Sequence, residues 1–250
     1  MQPVTLVGTI LGLLAVFGGA MLEGLHFSAI LQPTAALIVL GGTAAAVLVS
    51  FPQQDIKLAV KFLPRVFMGA GEDMRPLIAE ITKFAQVARK EGILAADGMR
   101  AEVKDELLKR SLKCVVDGFD PATVGAILDA EAEQAYEEQE AAGKVWEAAG
   151  GYSPTIGIIG AVLGLIHVMQ SLDDPSKIGG GIAVAFVATI YGVAAANLAF
   201  IPWGTNLKRK AHINLLRGEI VKLGVIGVQE GVNPHFLQAK LEAYAQEKNT

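Results

Sequence analysis

The sequence predicts an all-α integral membrane protein with four transmembrane helices and a helical cytoplasmic domain. Three observations carry this. Segments 4–22, 27–51, 152–172 and 178–207 hold no Asp, Glu, Lys or Arg, and each approaches or exceeds the roughly 20 residues that cross a hydrocarbon core. Lys and Arg are absent from 1–51, number thirteen in 52–151, are reduced to Lys177 in 152–207, and number seven in 208–250. Finally, 52% of residues are hydrophobic but only 6% aromatic, with 28 glycines. Such small apolar bulk suits thin helices packed closely in lipid better than one large aqueous core.

The first segment lacks the basic start of a secretory signal peptide, since Met1, Gln2 and Pro3 carry no Lys or Arg. It therefore reads as a span. Positive charge stays inside, which places 52–151 and the tail in the cytoplasm, with 23–26 and 173–177 as short outer turns. The N- and C-termini are then cytoplasmic, and Lys208, Arg209 and Lys210 anchor the last span at the inner headgroups. The expected organisation is a first transmembrane hairpin over 1–51, a helical cytoplasmic domain over 52–151, a second hairpin over 152–207 and a cytoplasmic tail over 208–250.

Inside the cytoplasmic parts, Asp73 can cap a segment in which Met74, Leu77, Ile78, Ile81, Phe84, Ala85 and Ala88 recur at helical spacing up to Gly92. Asp120-Pro121 starts a helix to about Glu147, rich in acids (Asp129, Glu131, Glu133, Glu137, Glu138, Glu140). Gly150-Gly151 is expected to interrupt it before the third span. Asn233-Pro234 opens a last short helix. No β-alternation and no fixed repeat stands out.

A net charge of −4 argues against a nucleic-acid partner, which needs a basic surface. The lone Cys114 permits no intramolecular disulfide. Phosphate-loop, serine-elbow and zinc-protease motifs are missing, so no enzyme is expected. His26, His167, His212 and His235 are scattered, so neither a metal nor a cofactor is expected. His167 lies in the outer half of a span, where a neutral imidazole can hydrogen-bond near the interface.

Gly8/Gly12, Gly160/Gly164 and Gly192/Ala196 are spaced for close helix approach. The missing span carboxylate is more informative. A cation crossing the membrane needs a binding group on its way, so either this chain moves no ions or a second polypeptide supplies the acid. Thr189, near the middle of the fourth span, either faces an ion path or bonds back to its own helix. Pro154 and Pro202 fall at one membrane level next to the cytoplasmic part, as simple kinks or as a flexible joint. Arg89, Lys90 and Asp97 flank the Gly92 turn, where cations complement a helix C-terminus.

Gly-Tyr-Ser-Pro-Thr-Ile-Gly-Ile-Ile-Gly at 151–160 resembles the start of the third span of the MotA/PomA flagellar stator subunits. So do Asp173-Asp174-Pro175, Ala188-Thr189-Ile190-Tyr191-Gly192, Phe200-Ile201-Pro202 and Gln229-Glu230-Gly231-Val232-Asn233-Pro234. The resemblance covers the whole chain. It implies an A-type subunit of the inner membrane, five copies of which surround two copies of a B-type subunit that has one span, an ion-binding Asp and a peptidoglycan-binding domain. Ion flow would turn the A-type ring against the rotor switch protein FliG. By the same resemblance Pro154 and Pro202 couple conformational change, Arg89, Lys90 and Asp97 contact the rotor, and Thr189 stands by the ion site. Sodium stators tend to carry threonine where Ala161 and Ala188 stand here. H⁺ is thus the expected ion, with Na⁺ the alternative. The ExbB/TolQ group, with three spans, and a non-conducting membrane scaffold are the competing readings.

Overall fold

A computed structural model describes residues 3–69, 73–173 and 175–247; Asp174 of the outer turn, and Met1 and Gln2, lie outside them. The described residues form helices joined by turns and short extended links, with no strand among them. Four of these helices are long and apolar enough to cross a membrane.

The first is α1 (Pro3–Leu22), whose large side chains, such as Val4, Leu11 and Leu14, are exposed as a lipid-facing helix requires. The second apolar segment departs from the expected single helix over 27–51. It breaks after α2 (Phe27–Ile30) and resumes as one continuous run of α3 (Pro33–Ala36), a π-helical turn (Leu37–Gly41) and α4 (Gly42–Ser50). Leu31 and Gln32 are extended between α2 and α3. Pro33 is the reason: it lacks an N–H and pushes the preceding residue out of helical geometry. Tyr191 bridges the break, its hydroxyl donating to the Ile30 carbonyl at 2.6 Å and accepting from the Gln32 N–H at 3.4 Å.

Next come α5 (Gln53–Phe62) with a 3₁₀ turn (Leu63–Phe67), α6 (Arg75–Glu91), α7 (Ile93–Ala96) with a 3₁₀ turn (Asp97–Glu102), and α8 (Glu106–Val116). The chain ends in α9 (Pro121–Gln170), α10 (Pro175–Ala195) with a π turn (Ala196–Phe200), α11 (Ile201–Gln229) and α12 (Pro234–Glu247). Gly150-Gly151 does not interrupt α9, contrary to expectation. A glycine inside a helix costs only about 1 kcal/mol, and at Gly150 the missing side chain admits Ile201.

Helix ends follow local chemistry. α6 stops where Gly92 takes φ +89°, in the region that favours glycine. Asp73 acts one residue further upstream than a cap, accepting from the Arg75 N–H at 3.0 Å and from its guanidinium at 2.9 Å. The Arg75 side chain holds the Asp73 carboxyl below its ordinary range. Asp120 caps α9, accepting from the Thr123 N–H at 3.0 Å and from its hydroxyl at 2.5 Å; the hydroxyl holds this carboxyl low as well.

The chain forms two compact units: Met1–Gly69 with Glu138–Arg209, and Ala70–Glu137 with Lys210–Thr250. In the first, Phe62, Val66, Val145 and Leu207 pack with Trp146, Phe200 and Trp203. The Trp146 indole donates to the Ala59 carbonyl at 3.0 Å and meets Trp203 edge-on, 5.2 Å between ring centres. A smaller cluster joins Ala35 and Val39 to Val187 and Ala188. In the second unit Ile81, Phe84, Leu108, Leu112, Ile220, Leu237 and Leu241 form the core. Its buried carboxylate, Asp105, accepts from the Leu108 N–H at 2.8 Å and pairs with Arg217. The acidic run of α9 finds partners on neighbouring helices and within α9: Asp129 with Lys222, Glu131 with Arg110, and Glu140 with Lys144.

Candidate functional site

The last two apolar helices meet backbone to backbone. A β-carbon on Gly157 would lie 2.9 Å from the Ala188 carbonyl oxygen and 3.5 Å from the Thr189 Cα. One on Gly192 would lie 2.6 Å from the Ser153 carbonyl oxygen and 3.2 Å from the Pro154 Cα; one on Gly160, 2.7 Å from the Ala188 Cβ. Towards the α9–α10 turn, one on Gly164 would lie 2.8 Å from the Gly181 carbonyl oxygen. Below Pro202 the seam resumes, a β-carbon on Gly204 lying 2.7 Å from the Gly143 carbonyl oxygen. Small residues at these positions bring the helices together, and dispersion over the close contact stabilises the pair in lipid.

This seam sets Pro154 against Gly192, and Ala188 and Thr189 against Gly157. Ala188 is fully buried, enclosed by Gly160 and the Ala35–Val39 cluster. Thr189 is half-buried, and its hydroxyl donates to the Ala185 carbonyl at a long 3.3 Å, the back-bond that helical threonines commonly form. That leaves its oxygen lone pairs available as acceptors. Ala161 is half-buried, beside Gly160. Pro154 lies inside α9, where it removes one backbone hydrogen bond. Pro202 follows the π turn Ala196–Phe200, whose wider backbone pattern occupies the stretch before the proline. His167 is exposed, on the wall of a cavity shared with Gln32, Thr34 and Leu163.

In the other unit, Arg89 and Lys90 are exposed in the last turn of α6, favourably placed at a helix C-terminus. Asp97 is half-buried and opens the 3₁₀ turn after α7. The Gly92 turn joins the two, and Asp105, held by Arg217, closes this segment at the start of α8.

Two residues, Ser153 and Tyr191, escaped sequence reasoning, and Gly192 was read as a close-packing position without its partner. Ser153 is fully buried beside Pro154, and its hydroxyl has no hydrogen-bond partner among the described residues. Tyr191 bridges the α2–α3 break, and Gly192 sets the approach of the two helices. Tyr191 and Gly192 sit in the stretch following Thr189, so the motif itself was visible; their contacts with Ile30 and Ser153 were not.

Taken together, these features define an integral membrane protein of apolar helices, whose last two pack through backbone and carry the half-buried Thr189 hydroxyl beside that contact. Residues 6–92 match the motility protein A N-terminal family, and residues 99–220 match the MotA/TolQ/ExbB proton channel family. The chain is 35% identical over its whole length to motility protein A of Bacillus subtilis, covering 93% of that protein. It is 31% identical to the chemotaxis protein PomA of Vibrio alginolyticus, over 96% of each chain. A solved structure of C. jejuni MotAB superposes with TM-score 0.89 at 32% identity, over 98% of this chain and 96% of that one. The flagellar MotAB stator complex of Bacillus subtilis superposes with TM-score 0.84 at 35% identity, over 96% of this chain and 94% of that one. The chain belongs to the MotA/PomA family of flagellar motor stator subunits, proteins of the inner membrane. The motility-specific match over 6–92 and the whole-chain relatives set it apart from the ExbB/TolQ reading.

Proposed function

We propose that this chain is the A-type half of an ion-driven stator in which a single-span B-type subunit supplies the membrane carboxylate. The observation that carries this reading is the lack of any Asp, Glu, Lys or Arg in the four apolar segments, beside a mid-span hydroxyl at Thr189. Bound charge has to be met by something in the membrane, and the relatives solved as MotAB complexes support a second subunit as its source. Protons are the favoured ion, because the site offers one hydroxyl while Ala188 is walled in by Gly160.

On this reading the chain crosses the membrane four times with both termini in the cytoplasm. Residues 1–51 and 152–207 form the hairpins, and 52–151 with the tail 208–250 lie inside. Five copies surround two B-type subunits. Protonation and release of the partner's carboxylate shift the seam at Pro154 and Pro202, and the exposed Arg89 and Lys90, with Asp97, push on FliG.

Gene deletion with electron microscopy and tethered-cell assays tests the proposal. Filaments and rotor remain while rotation stops or weakens. Cells without filaments, or rotation at wild-type torque where no second stator is encoded, would reject it. Purification should bring down a partner with one span and a membrane Asp.

A further inference from the structure

Beyond ion and rotor, the first unit carries a groove suited to a lipid. It lies between the end of α4 and the start of α5, has a volume of about 460 Å³, and is lined by Leu48, Phe51, Gln53, Ile56, Lys57 and Val60. Leu48 and Val60 are each 64% exposed, so two aliphatic walls face outward where no described residue covers them. Below, α5 is held in place by Ala59 and Phe62, both buried, and by the Trp146 indole on the Ala59 carbonyl. The groove is therefore built on a fixed helix.

Charge selects its occupant. The chain has no Lys or Arg before Lys57; Lys57, Lys61 and Arg65 then follow within nine residues. Lys61 and Arg65 lie over the Phe62 ring, at 5.4 Å and 4.3 Å from its centre. Lys57 forms no ion pair among the described residues and stands at the groove itself. A second copy of this chain would have to offer an acid to it. In this unit Glu140 and Glu147 are paired with Lys144 and Lys208 and Glu138 also has a partner, which leaves Asp55, on α5 itself, as the acid beside the groove that a second copy could bring. An acyl chain against Leu48, Phe51, Ile56 and Val60, with an anionic headgroup on Lys57, satisfies both the apolar walls and the cation.

We infer that this groove binds one anionic phospholipid of the inner leaflet. The inference rests on the topology proposed above, which puts the α4–α5 junction at the cytoplasmic headgroups. A juxtamembrane lysine is expected to favour an anionic over a zwitterionic headgroup about fivefold.

The test uses the purified full-length complex with its B-type partner, reconstituted in equimolar phosphatidylglycerol and phosphatidylcholine of matched chains. The lipids that remain bound are then counted by native mass spectrometry. Wild type should retain phosphatidylglycerol about fivefold over phosphatidylcholine. Lys57→Glu should bring the ratio to parity, as should Val60→Trp, which fills the groove and leaves the charge alone. Lys113→Glu, on the other unit, should change nothing. Wild-type retention in Val60→Trp would reduce the effect to diffuse attraction and overturn the site; unchanged retention in Lys57→Glu would do the same. A cross-link from position 57 to another copy of the chain would assign the groove to that copy. Labelling a cysteine at position 57 from one side of the membrane checks the topology separately, so a wrong topology and an empty groove give different results.

Discussion

Gly192 has room for a hydrogen and nothing larger, because a β-carbon there would sit 2.6 Å from the carbonyl oxygen of Ser153. The neighbouring limits are also backbone atoms, the Gly157 Cα at 3.1 Å and the Pro154 Cα at 3.2 Å. None of these can swing aside as a side-chain tip does. Gly192→Ala must therefore open the second hairpin. Overpacking of this kind costs about 1–3 kcal/mol, and it moves Pro154 directly. The variant complex should melt lower in detergent and generate reduced torque, while Gly151→Ala, with nothing within 4 Å of its β-carbon, matches wild type in both. Equal melting of the two variants refutes the close contact.

Asp105 should be the most stabilising charge of the second unit. Its side chain is 5% exposed, it caps α8 and it pairs with Arg217. Removing one partner of a buried pair strands the other and costs about 3–5 kcal/mol; Arg217, a third exposed, keeps some water, which places this case near the lower figure. Arg217→Met should destabilise the protein by about 3 kcal/mol in denaturant unfolding followed at the cytoplasmic unit. It should also weaken torque, because Asp105 ends the segment that carries Asp97. A change under about 0.5 kcal/mol would class the pair with ordinary surface bridges.

The Asp120 cap sets a pH dependence with a definite sign. The Thr123 hydroxyl and N–H favour the ionised carboxylate, so its folded pKa lies below the unfolded one. Its contribution is present above the unfolded pKa and lost as pH falls through the folded value. The stability difference between wild type and Asp120→Asn should be constant near neutrality and shrink below about pH 4. A difference that grows with acidification contradicts the hydrogen bonding described.

Helix punctuation was legible because it is local. Gly92, Asp120-Pro121 and Asn233-Pro234 act through a residue's own backbone or the next turn, and each marks a helix end in the structure. Gly150-Gly151 misled for the opposite reason: its partner, Ile201, lies fifty residues on, and no local rule announces that contact. The α2–α3 break carried a local signal in Pro33, which the long apolar run of the segment obscured. At the site, Thr189 and the two prolines could be picked from type and position. The enclosure of Ala188 could not, since it depends on Gly160 and Val39 from two other helices.

Reversal of Arg89 or Asp97 should weaken torque without loss of membrane insertion, because Arg89 lies exposed on α6 and Asp97 opens the 3₁₀ turn after α7, both in the second compact unit and outside the apolar segments of the sequence. Charge complementarity governs such contacts, so a compensating reversal on FliG should restore rotation in part. Tethered-cell torque with immunoblots of the membrane fraction reads both effects. Wild-type torque from Arg89→Glu combined with Asp97→Lys, on an unaltered rotor, would remove these residues from the rotor contact.

The proposed preference for protons rests on the same seam. A partly dehydrated Na⁺ needs several oxygen ligands, whereas a proton needs the partner's carboxylate and a hydroxyl or water to relay it. Thr189 offers one oxygen, whose lone pairs stay free while its hydroxyl donates to the Ala185 carbonyl. Ala188 is fully buried beside Gly160, which leaves no open space there for an added hydroxyl. Ala161 contributes a methyl group. On the proposed ion path these residues are short of Na⁺ ligands, so swimming speed should not depend on external Na⁺ at fixed pH and membrane potential. It should fall when a protonophore collapses the proton gradient. Speed that saturates with Na⁺ and vanishes without it would show that water or backbone carbonyls complete a sodium site at Thr189.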